Sequence, residues 1–267
     1  MAAWVRFEHD GEEGFGLLDP LAPDPGHPDG AAAAIHVHTG TLFAPVPSGR
    51  MLPAGEVALL PPVRPGKFIG LWNNFHELAA KLGTAIPTEP LYFLKATSSL
   101  LAPGGTIQPP PGYAGKVVYE GELGIVIGRT CRVATEAEAA AAIFGYTCIN
   151  DVTALDLLHA DPSFPQWARA KGCDSFGPCG PCVVTGLDPM GLRVRTLLSG
   201  RERQNYPVAD MILPPAQIVS LLSQEMTLQP GDLIACGTSV GVLPLRPGAV
   251  VEVVIDGIGT LRSQVAA

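Results

Sequence analysis

Two acidic residues interrupt an apolar stretch at residues 116–128, which reads KVVYEGELGIVIG. Its valines, isoleucines and tyrosine predict a buried β-strand, yet Glu120 and Glu122 lie in the middle. Side chains two residues apart on a strand point to the same side, so the two carboxylates would share one face. Burying like charges together is costly unless a proton or a cation neutralises them. The stretch therefore predicts either a cation site or a solvated strand face where lysine or arginine pairs with both acids.

The few charges of the chain narrow its functional class. Charged residues make up 16% of the 267 residues and the net charge is −8. The negative charge and the lack of a basic stripe in the sequence argue against a general nucleic-acid-binding protein. No apolar run reaches the roughly 18 residues of a membrane span, and the N-terminus lacks the apolar segment of a signal peptide. The six cysteines are then expected to be reduced thiols. We expect a cytoplasmic protein that binds neither nucleic acid nor a membrane.

Turn and proline signals divide the chain. Asp10-Gly11 predicts an early hairpin, and residues 20–34, rich in Pro, Gly, Asp and Ala, predict a surface loop. Prolines at positions 61, 62 and 65 indicate a boundary between a small N-terminal β unit, 1–64, and a main domain, 65–267. Predicted strands outnumber helices and do not alternate with them, which favours a β-rich α+β fold with a few peripheral helices.

Three helices are predicted from their end signals. After a strand at 68–71, Asn74 resembles an N-cap, Glu77 would close a capping box, and Gly83 would end the helix. Thr135 and Glu138 have the same spacing and predict a second capping box. The third helix is predicted over 214–226, opened by proline.

A third acid completes a possible metal site. Asp151 follows the strand-like run of GYTCINDVT, and side chains at strand ends can converge. A hard divalent cation such as Mg²⁺ takes oxygen ligands, typically a few carboxylates and waters. Glu120, Glu122 and Asp151 are therefore the candidate ligands.

Other candidate residues allow both a functional and a structural interpretation. His76 is either a general base or a histidine that bonds locally in a helix turn. Lys95 and Lys171 either polarise a carbonyl and pair with a carboxylate, or are surface lysines. The GTSVGV segment, 237–242, offers backbone N–H groups and a hydroxyl to an anion. Walker A and GxGxxG motifs are absent, which excludes the commonest nucleotide-binding signatures.

Five segments, in this order, resemble the fumarylacetoacetate hydrolase family: YEGELGIVIG, GYTCINDVTALDLL, QWARAKGCDSFGPCGP, MTLQPGD and CGTSVGV. The resemblance spans about residues 67–261. It implies a mixed β-roll of the fumarylacetoacetase type with a small N-terminal β unit. It also implies a divalent-metal enzyme that is usually a homodimer.

The resemblance also assigns roles by motif position. It makes Glu120, Glu122 and Asp151 the ligands of Mg²⁺, with Mn²⁺ or Ca²⁺ as alternatives. It implies catalytic roles for His76, Lys95 and Lys171. It implies substrate binding by Gly237 and Thr238.

Family members act on 2-oxo or 1,3-dicarbonyl acids, with the metal stabilising an enolate. The resemblance implies hydrolysis of an acylpyruvate-type C–C bond in carboxylic or aromatic acid breakdown. Decarboxylation, tautomerisation or isomerisation, and hydration of a 2-oxo acid are the alternatives. A more distant alternative is a metal-dependent binding protein without catalysis.

Several positions depart from the family pattern, and three of them bear on the reaction and the substrate. Hydrolytic members often pair the histidine with a glutamate three residues later, where this chain has Ala79. Leu155 and Leu158 stand where the family's R-D-x-Q stretch has arginine and glutamine. The two leucines predict a less charged substrate tail.

Overall fold

The structure is a computed structural model that describes residues 1–19 and 33–267, and it contains nineteen strands and five α-helices there. The strands are β1 Ala2–His9, β2 Glu12–Leu18, β3 Ala34–Thr41, β4 Ala44–Pro53, β5 Ala58–Leu60, β6 Phe68–Trp72, β7 Leu91–Lys95, β8 Leu100–Leu101, β9 Thr106–Ile107, β10 Val117–Val118, β11 Gly121–Ile127, β12 Ile143–Asn150, β13 Thr153–Ala154, β14 Gly177–Thr185, β15 Arg193–Leu198, β16 Arg201–Pro207, β17 Leu233–Ala235, β18 Val250–Ile255 and β19 Gly259–Val265. The helices are α1 His76–Leu82, α2 Glu136–Ala142, α3 Leu155–Leu158, α4 Trp167–Lys171 and α5 Pro215–Glu225. The predicted loop at 20–34 lies almost wholly outside the described residues.

Three sheets organise these strands. The largest has the order β4-β3-β2-β1-β14-β12-β11-β17-β6-β7, with β5 added to β1 and β8 to β14. A second sheet has the order β16-β15-β18-β19-β9, and β10 pairs with β13 alone. Most pairs are antiparallel, while β17 runs parallel to β6 and β9 runs parallel to β19. The expected β-rich α+β fold with a few helices is confirmed.

Strand β11 passes through the core. Leu123, Ile125 and Ile127 pack in one hydrophobic cluster, and Val126 packs in a second cluster. Both faces of the strand are therefore covered, which explains its nearly continuous apolar sequence. Burial of each such side chain contributes about 1.5–3 kcal/mol, and this holds Glu122, on the same strand, in a fixed position.

The acidic stretch is not one continuous strand. β10 ends at Val118 and β11 begins at Gly121, so Glu120 lies in the connection between them. The backbone N–H of Glu120 donates to Asn150 Oδ1 at 3.0 Å, and its carbonyl accepts from Asp151 N at 2.9 Å. The strand breaks because β10 pairs with β13 whereas β11 pairs with β12.

Three of the predicted helix-end signals are confirmed. Thr135 caps α2, its hydroxyl accepting from Glu138 N while the Glu138 carboxylate accepts from Thr135 N. Gly83 ends α1 in the left-handed conformation, at φ 67°. Proline opens the third helix as predicted, with Pro215 as its first residue.

The predicted cap at Asn74 is wrong. Phe75 precedes α1 without a side-chain cap, and the Asn74 amide group bonds instead to the backbone of Leu213 and Cys236. The backbone N–H of Glu77 donates to Asp210 Oδ2 at 3.0 Å. Partners distant in sequence thus replace the local capping box.

The N-terminal strands join the large sheet. Residues Ala2, Ala3 and Trp4 of β1 pair antiparallel with β14, across the predicted boundary near residue 64. The division into 1–64 and 65–267 stays a prediction. Within the described ranges, no helix has both the length and the hydrophobicity that crossing a bilayer requires.

Candidate active site

The three predicted metal ligands converge. One carboxylate oxygen each from Glu120, Glu122 and Asp151 lies within 4.8 Å of the other two. Glu122 and Asp151 are fully buried, and Glu120 is half-buried. The pairing of Gly121 with Asn150 between β11 and β12 places the neighbouring acids side by side. The expectation that these acids lie together is met, and the alternative of a solvated strand face for Glu120 and Glu122 is excluded for Glu122.

Two buried lysines hold the aspartate. Lys95 Nζ lies 2.6 Å from Asp151 Oδ1, and Lys171 Nζ lies 2.5 Å from Asp151 Oδ2. Lys171 Nζ also lies 2.8 Å from Glu120 Oε1. Both lysines are buried, so the surface interpretation of each is wrong.

The surroundings shift the pKa values of these groups in different directions. Burial, followed by the nearby Asp151 and Glu120 charges, raises the pKa of Glu122 well above its ordinary range. Burial also works to raise the pKa of Asp151, but Lys171 and Lys95 outweigh it and hold that pKa low. Asp151 therefore stays ionised, whereas the ionised form of Glu122 is disfavoured unless a cation compensates its charge.

The pKa values of the two lysines shift in opposite directions. Burial lowers the pKa of Lys95 despite the opposing attraction of Asp151. Burial acts on Lys171 in the same direction, but Asp151 and Glu120 together raise its pKa above the ordinary value. Lys171 is thus the more firmly charged of the two.

The residues fit a divalent cation. Glu122 Oε2 accepts from the backbone N–H of Gly237 at 2.7 Å, but Glu122 Oε1 is buried without a hydrogen-bond partner. An orphaned buried acceptor costs about 1–3 kcal/mol or more when it is charged. An all-oxygen donor set is what Mg²⁺ and similar hard cations prefer. A cation between the three carboxylates would supply the missing partner.

A cavity of about 340 Å³ opens beside these acids. Its polar lining includes Glu120, Thr153, Lys171 and Thr238. Thr153 Oγ1 donates to Glu120 Oε1 at 2.7 Å. The Thr238 hydroxyl donates to the Gly121 carbonyl at 3.1 Å and accepts from Gln204 at 2.8 Å. These polar side chains therefore form a fixed hydrogen-bonded network next to the acids.

The structure does not bring His76 into this lining. His76 is the first residue of α1 and is exposed, while Leu78 and Leu82 of the same helix line the cavity. Two helical positions correspond to a turn of about 200°, so His76 lies on the other side of α1. Among the described residues that line the cavity, the histidine is His159.

Sequence reasoning missed three residues of the site. Thr153 and His159 line the cavity, and Gln204 orients Thr238. Thr153 follows Asp151 by two positions and His159 directly follows Leu158, so proximity to the singled-out residues was an available signal. Gln204 lies on β16, far along the chain, and no local pattern indicates its contact.

The fold and the site define a class: a β-rich protein with a buried carboxylate centre beside a small-molecule cavity. A family model described as "Fumarylacetoacetate (FAA) hydrolase C-terminal" matches residues 67–266, and one described as "Rv2993c-like, N-terminal" matches residues 3–62. The chain belongs to the fumarylacetoacetate hydrolase family, as its motifs indicated.

Relatives of several activities resemble the chain. Protein Rv2993c of Mycobacterium tuberculosis is 41% identical over 224 residues, which cover 83% of each chain. The structure of 2-hydroxyhepta-2,4-diene-1,7-dioate isomerase from Mycobacterium marinum is 35% identical with a TM-score of 0.89, covering 100% of this chain and 98% of that one. Maleylpyruvate hydrolase from Sphingobium sp. SYK-6 is 30% identical with a TM-score of 0.70, covering 81% and 77%. Isomerases and hydrolases both occur among the similar structures, which supports an enzyme.

Proposed function

We propose that the protein is a divalent-metal-dependent enzyme that hydrolyses an acylpyruvate-type C–C bond of a 2-oxo or 1,3-dicarbonyl acid, within aromatic compound catabolism. The observation that carries this proposal is the convergence of Glu120, Glu122 and Asp151 on one place beside a cavity. Holding three acids together costs stability, and Glu122 Oε1 has no hydrogen-bond partner. A cation-binding role explains this arrangement better than a purely structural role does.

The proposed chemistry divides between the cation and the chain. A bound divalent cation supplies Lewis acidity, which polarises a carbonyl and offsets the negative charge that develops on it. Glu120, Glu122 and Asp151 would hold the cation. Lys95 and Lys171 keep Asp151 ionised and fix both of its oxygens. Thr238, beside the acids, would bind the carboxylate of the substrate.

In the hydrolytic reaction, a base takes a proton from water and the water oxygen bonds to the distal carbonyl carbon. The adjacent C–C bond breaks, its electron pair leaves with the pyruvate fragment, and a proton then adds to that carbon. The products are pyruvate and a carboxylic acid. His76 is the proposed base, since it begins the helix that supplies Leu78 and Leu82 to the cavity, and catalytic contacts often form only in the substrate complex.

Proton transfer without water attack is the second candidate. The position of His76 outside the cavity lining and the buried Ala79 in place of a glutamate favour it. Tautomerisation or decarboxylation passes through the same enolate and needs no water-activating pair. The M. marinum isomerase among the similar structures gives this candidate further support.

A panel of acylpyruvates tests the proposal. We expect the enol absorbance to decay with Mg²⁺ or Mn²⁺ and to persist with a chelator, while pyruvate accumulates in step. Decay without pyruvate would replace hydrolysis by tautomerisation. Metal-dependent binding with no turnover of any acid would leave only the non-catalytic alternative.

The same assay tests His76. His76→Ala should slow turnover by about 10²–10⁴-fold if His76 is the base, and His36→Ala, which removes an exposed histidine on β3, is the matched control. An unchanged rate in His76→Ala would remove His76 from the mechanism.

A further inference from the structure

The cavity has two chemically different ends. The carboxylates and Lys171 lie at one end, joined by hydrogen bonds with Thr153. The remainder of the lining is largely apolar and comes from α1, α3, α4 and the end of β6. We refer to this part of the lining as the apolar end, and it includes six apolar side chains: Trp72, Leu78, Leu82, Leu155, Leu158 and Trp167.

A second carboxylate on the substrate would find no free lysine or arginine in the described part of this lining. Lys171 is the one lysine or arginine among the described lining residues, and Glu120 and Asp151 already engage it. His159 is exposed at the cavity lining and is the only other titratable group away from the acids. Moving an ionised carboxylate from water into such surroundings without a partner is strongly unfavourable.

Several apolar side chains of this end remain open to solvent. Leu82 is 53% exposed and Trp72 is 36% exposed, although both line the cavity. Trp167 stands between Trp72, with ring centroids 6.0 Å apart, and Phe93, which stacks on it at 5.2 Å. Trp167 is therefore held in place by two aromatic neighbours where it lines the cavity.

Leu155 and Leu158 decide the character of this end. They are the first and last residues of α3 and both line the cavity. Leu158 is buried, so it already forms part of the packed wall. A polar pair at these positions would bring hydrogen-bond donors into the cavity, whereas the leucines bring none.

We propose, on the basis of the function proposed above, that the substrate is a monocarboxylic acylpyruvate whose acyl tail is an apolar alkyl or aryl group. The oxo-acid end lies against the carboxylate centre, and the tail lies between the leucines of α1 and α3 against Trp167. Leu155 and Leu158 determine this specificity by excluding a second carboxylate.

Paired substrates test the proposal directly. Two series of acylpyruvates of equal length are compared with Mg²⁺ present, one ending in a methyl group and one in a carboxylate. We expect kcat/KM to favour the methyl series by at least about 100-fold, and to rise about fourfold for each methylene that the tail adds inside the cavity. Equal rates, or a preference for the dicarboxylic series, would overturn the proposal.

A double variant tests the role of the two leucines. Leu155→Arg with Leu158→Gln should reduce the preference for the methyl series at least tenfold, mainly by raising KM for apolar tails and lowering it for carboxylate tails. Ala140→Arg adds the same charge at an exposed position of α2 and should leave the preference unchanged. An unaltered preference in a folded double variant would refute the role of the leucines.

Binding measurements test the tail preference independently of the proposed reaction. If the wild type turns over neither series, the reaction is wrong, and calorimetry with Mg²⁺ and saturated 2-oxo acids of both kinds still measures the tail preference. Tighter binding of the methyl acid supports the tail proposal, and equal or weaker binding overturns it. The wild-type measurements also decide the matter if the double variant does not fold.

Discussion

Glu122 is a fully buried side chain whose carboxylate receives one protein hydrogen bond, from the backbone N–H of Gly237. Its pKa is raised by burial and by two neighbouring acids, so the metal-free protein holds this residue at a cost in free energy. The proposed cation would offset that cost by pairing with the unsatisfied carboxylate oxygen. Folding and metal binding therefore place opposite demands on one residue.

Glu122→Gln should separate these demands. The amide keeps an oxygen for Gly237 and loses the negative charge, so we expect the metal-free variant to gain about 1–3 kcal/mol in free energy of unfolding. Mg²⁺ should stabilise the wild type and no longer stabilise the variant. Urea unfolding with chelator and with Mg²⁺ measures both effects.

Glu252→Gln, on β18 and only weakly paired with Arg262 at 3.6 Å, is the control for loss of one negative charge elsewhere. A Glu122→Gln protein that is less stable without metal, or equally responsive to Mg²⁺, would contradict the metal site.

At the scale of elements, the start of β11 depends on a glycine. A Cβ atom at Gly121 would lie 2.0 Å from Thr196 Oγ1 on β15, well inside van der Waals contact. The close approach of the two strands holds Glu120 and Glu122 on either side of Gly121 in place. The residue between the two acids is thus fixed by packing between sheets.

Gly121→Ala should cost about 1–3 kcal/mol or more through overpacking. Thr196→Ala removes a buried hydroxyl that has no hydrogen-bond partner and should be nearly neutral by itself. The double variant should recover most of the loss, because the nearest clashing atom is gone. Additive losses in a urea-unfolding cycle would show that Thr196 is not the obstacle.

Local sequence signals predicted the secondary-structure elements better than they predicted contacts between residues distant in sequence. The capping box of Thr135 and the stop at Gly83 involve atoms within a few residues, so sequence spacing was sufficient. Asn74 offered the same local signal, but Leu213 and Cys236 compete for its amide group. The break of the strand before Gly121 was missed for a similar reason, since it depends on which strands pair with each half.

The candidate site shows the same division. Glu120 and Glu122 were predicted because they interrupt an apolar strand, and Asp151 because it follows a strand-like run. The two lysines were candidates from the sequence, and the family resemblance gave them their roles. The placement of His76 outside the cavity lining and of His159 within it depends on how α1 and α3 pack. Sequence periodicity does not supply that orientation for helices of seven and four residues.

For the whole molecule, the N-terminal strands cover an edge of the core. β1 pairs with β14, and Trp4, Val5 and Phe7 are buried. Removing residues 1–64 would expose the unpaired backbone groups of β14, and such an edge promotes aggregation. The shared sheet thus connects the two predicted domains.

We expect a fragment of residues 65–267 to be largely aggregated when the full chain is not. Size-exclusion chromatography with light scattering compares the two, and the mass of the full chain also tests the homodimer that the resemblance implies. A fragment that elutes as a folded, single species would show that the predicted division near residue 64 separates independent folding units. A full chain with the mass of one copy would remove the homodimer.

Lys95 and Lys171, which pair with Asp151, affect the net charge of the carboxylate centre. Three carboxylates and two ammonium groups meet in one place, so with all five ionised the centre has one surplus negative charge. Under the proposed function, that surplus would repel an oxo-acid anion, and a bound divalent cation would reverse its sign. A singly charged acid then brings the assembly to zero, whereas a doubly charged acid overshoots. On this charge balance, we expect the cation to bind before the acid.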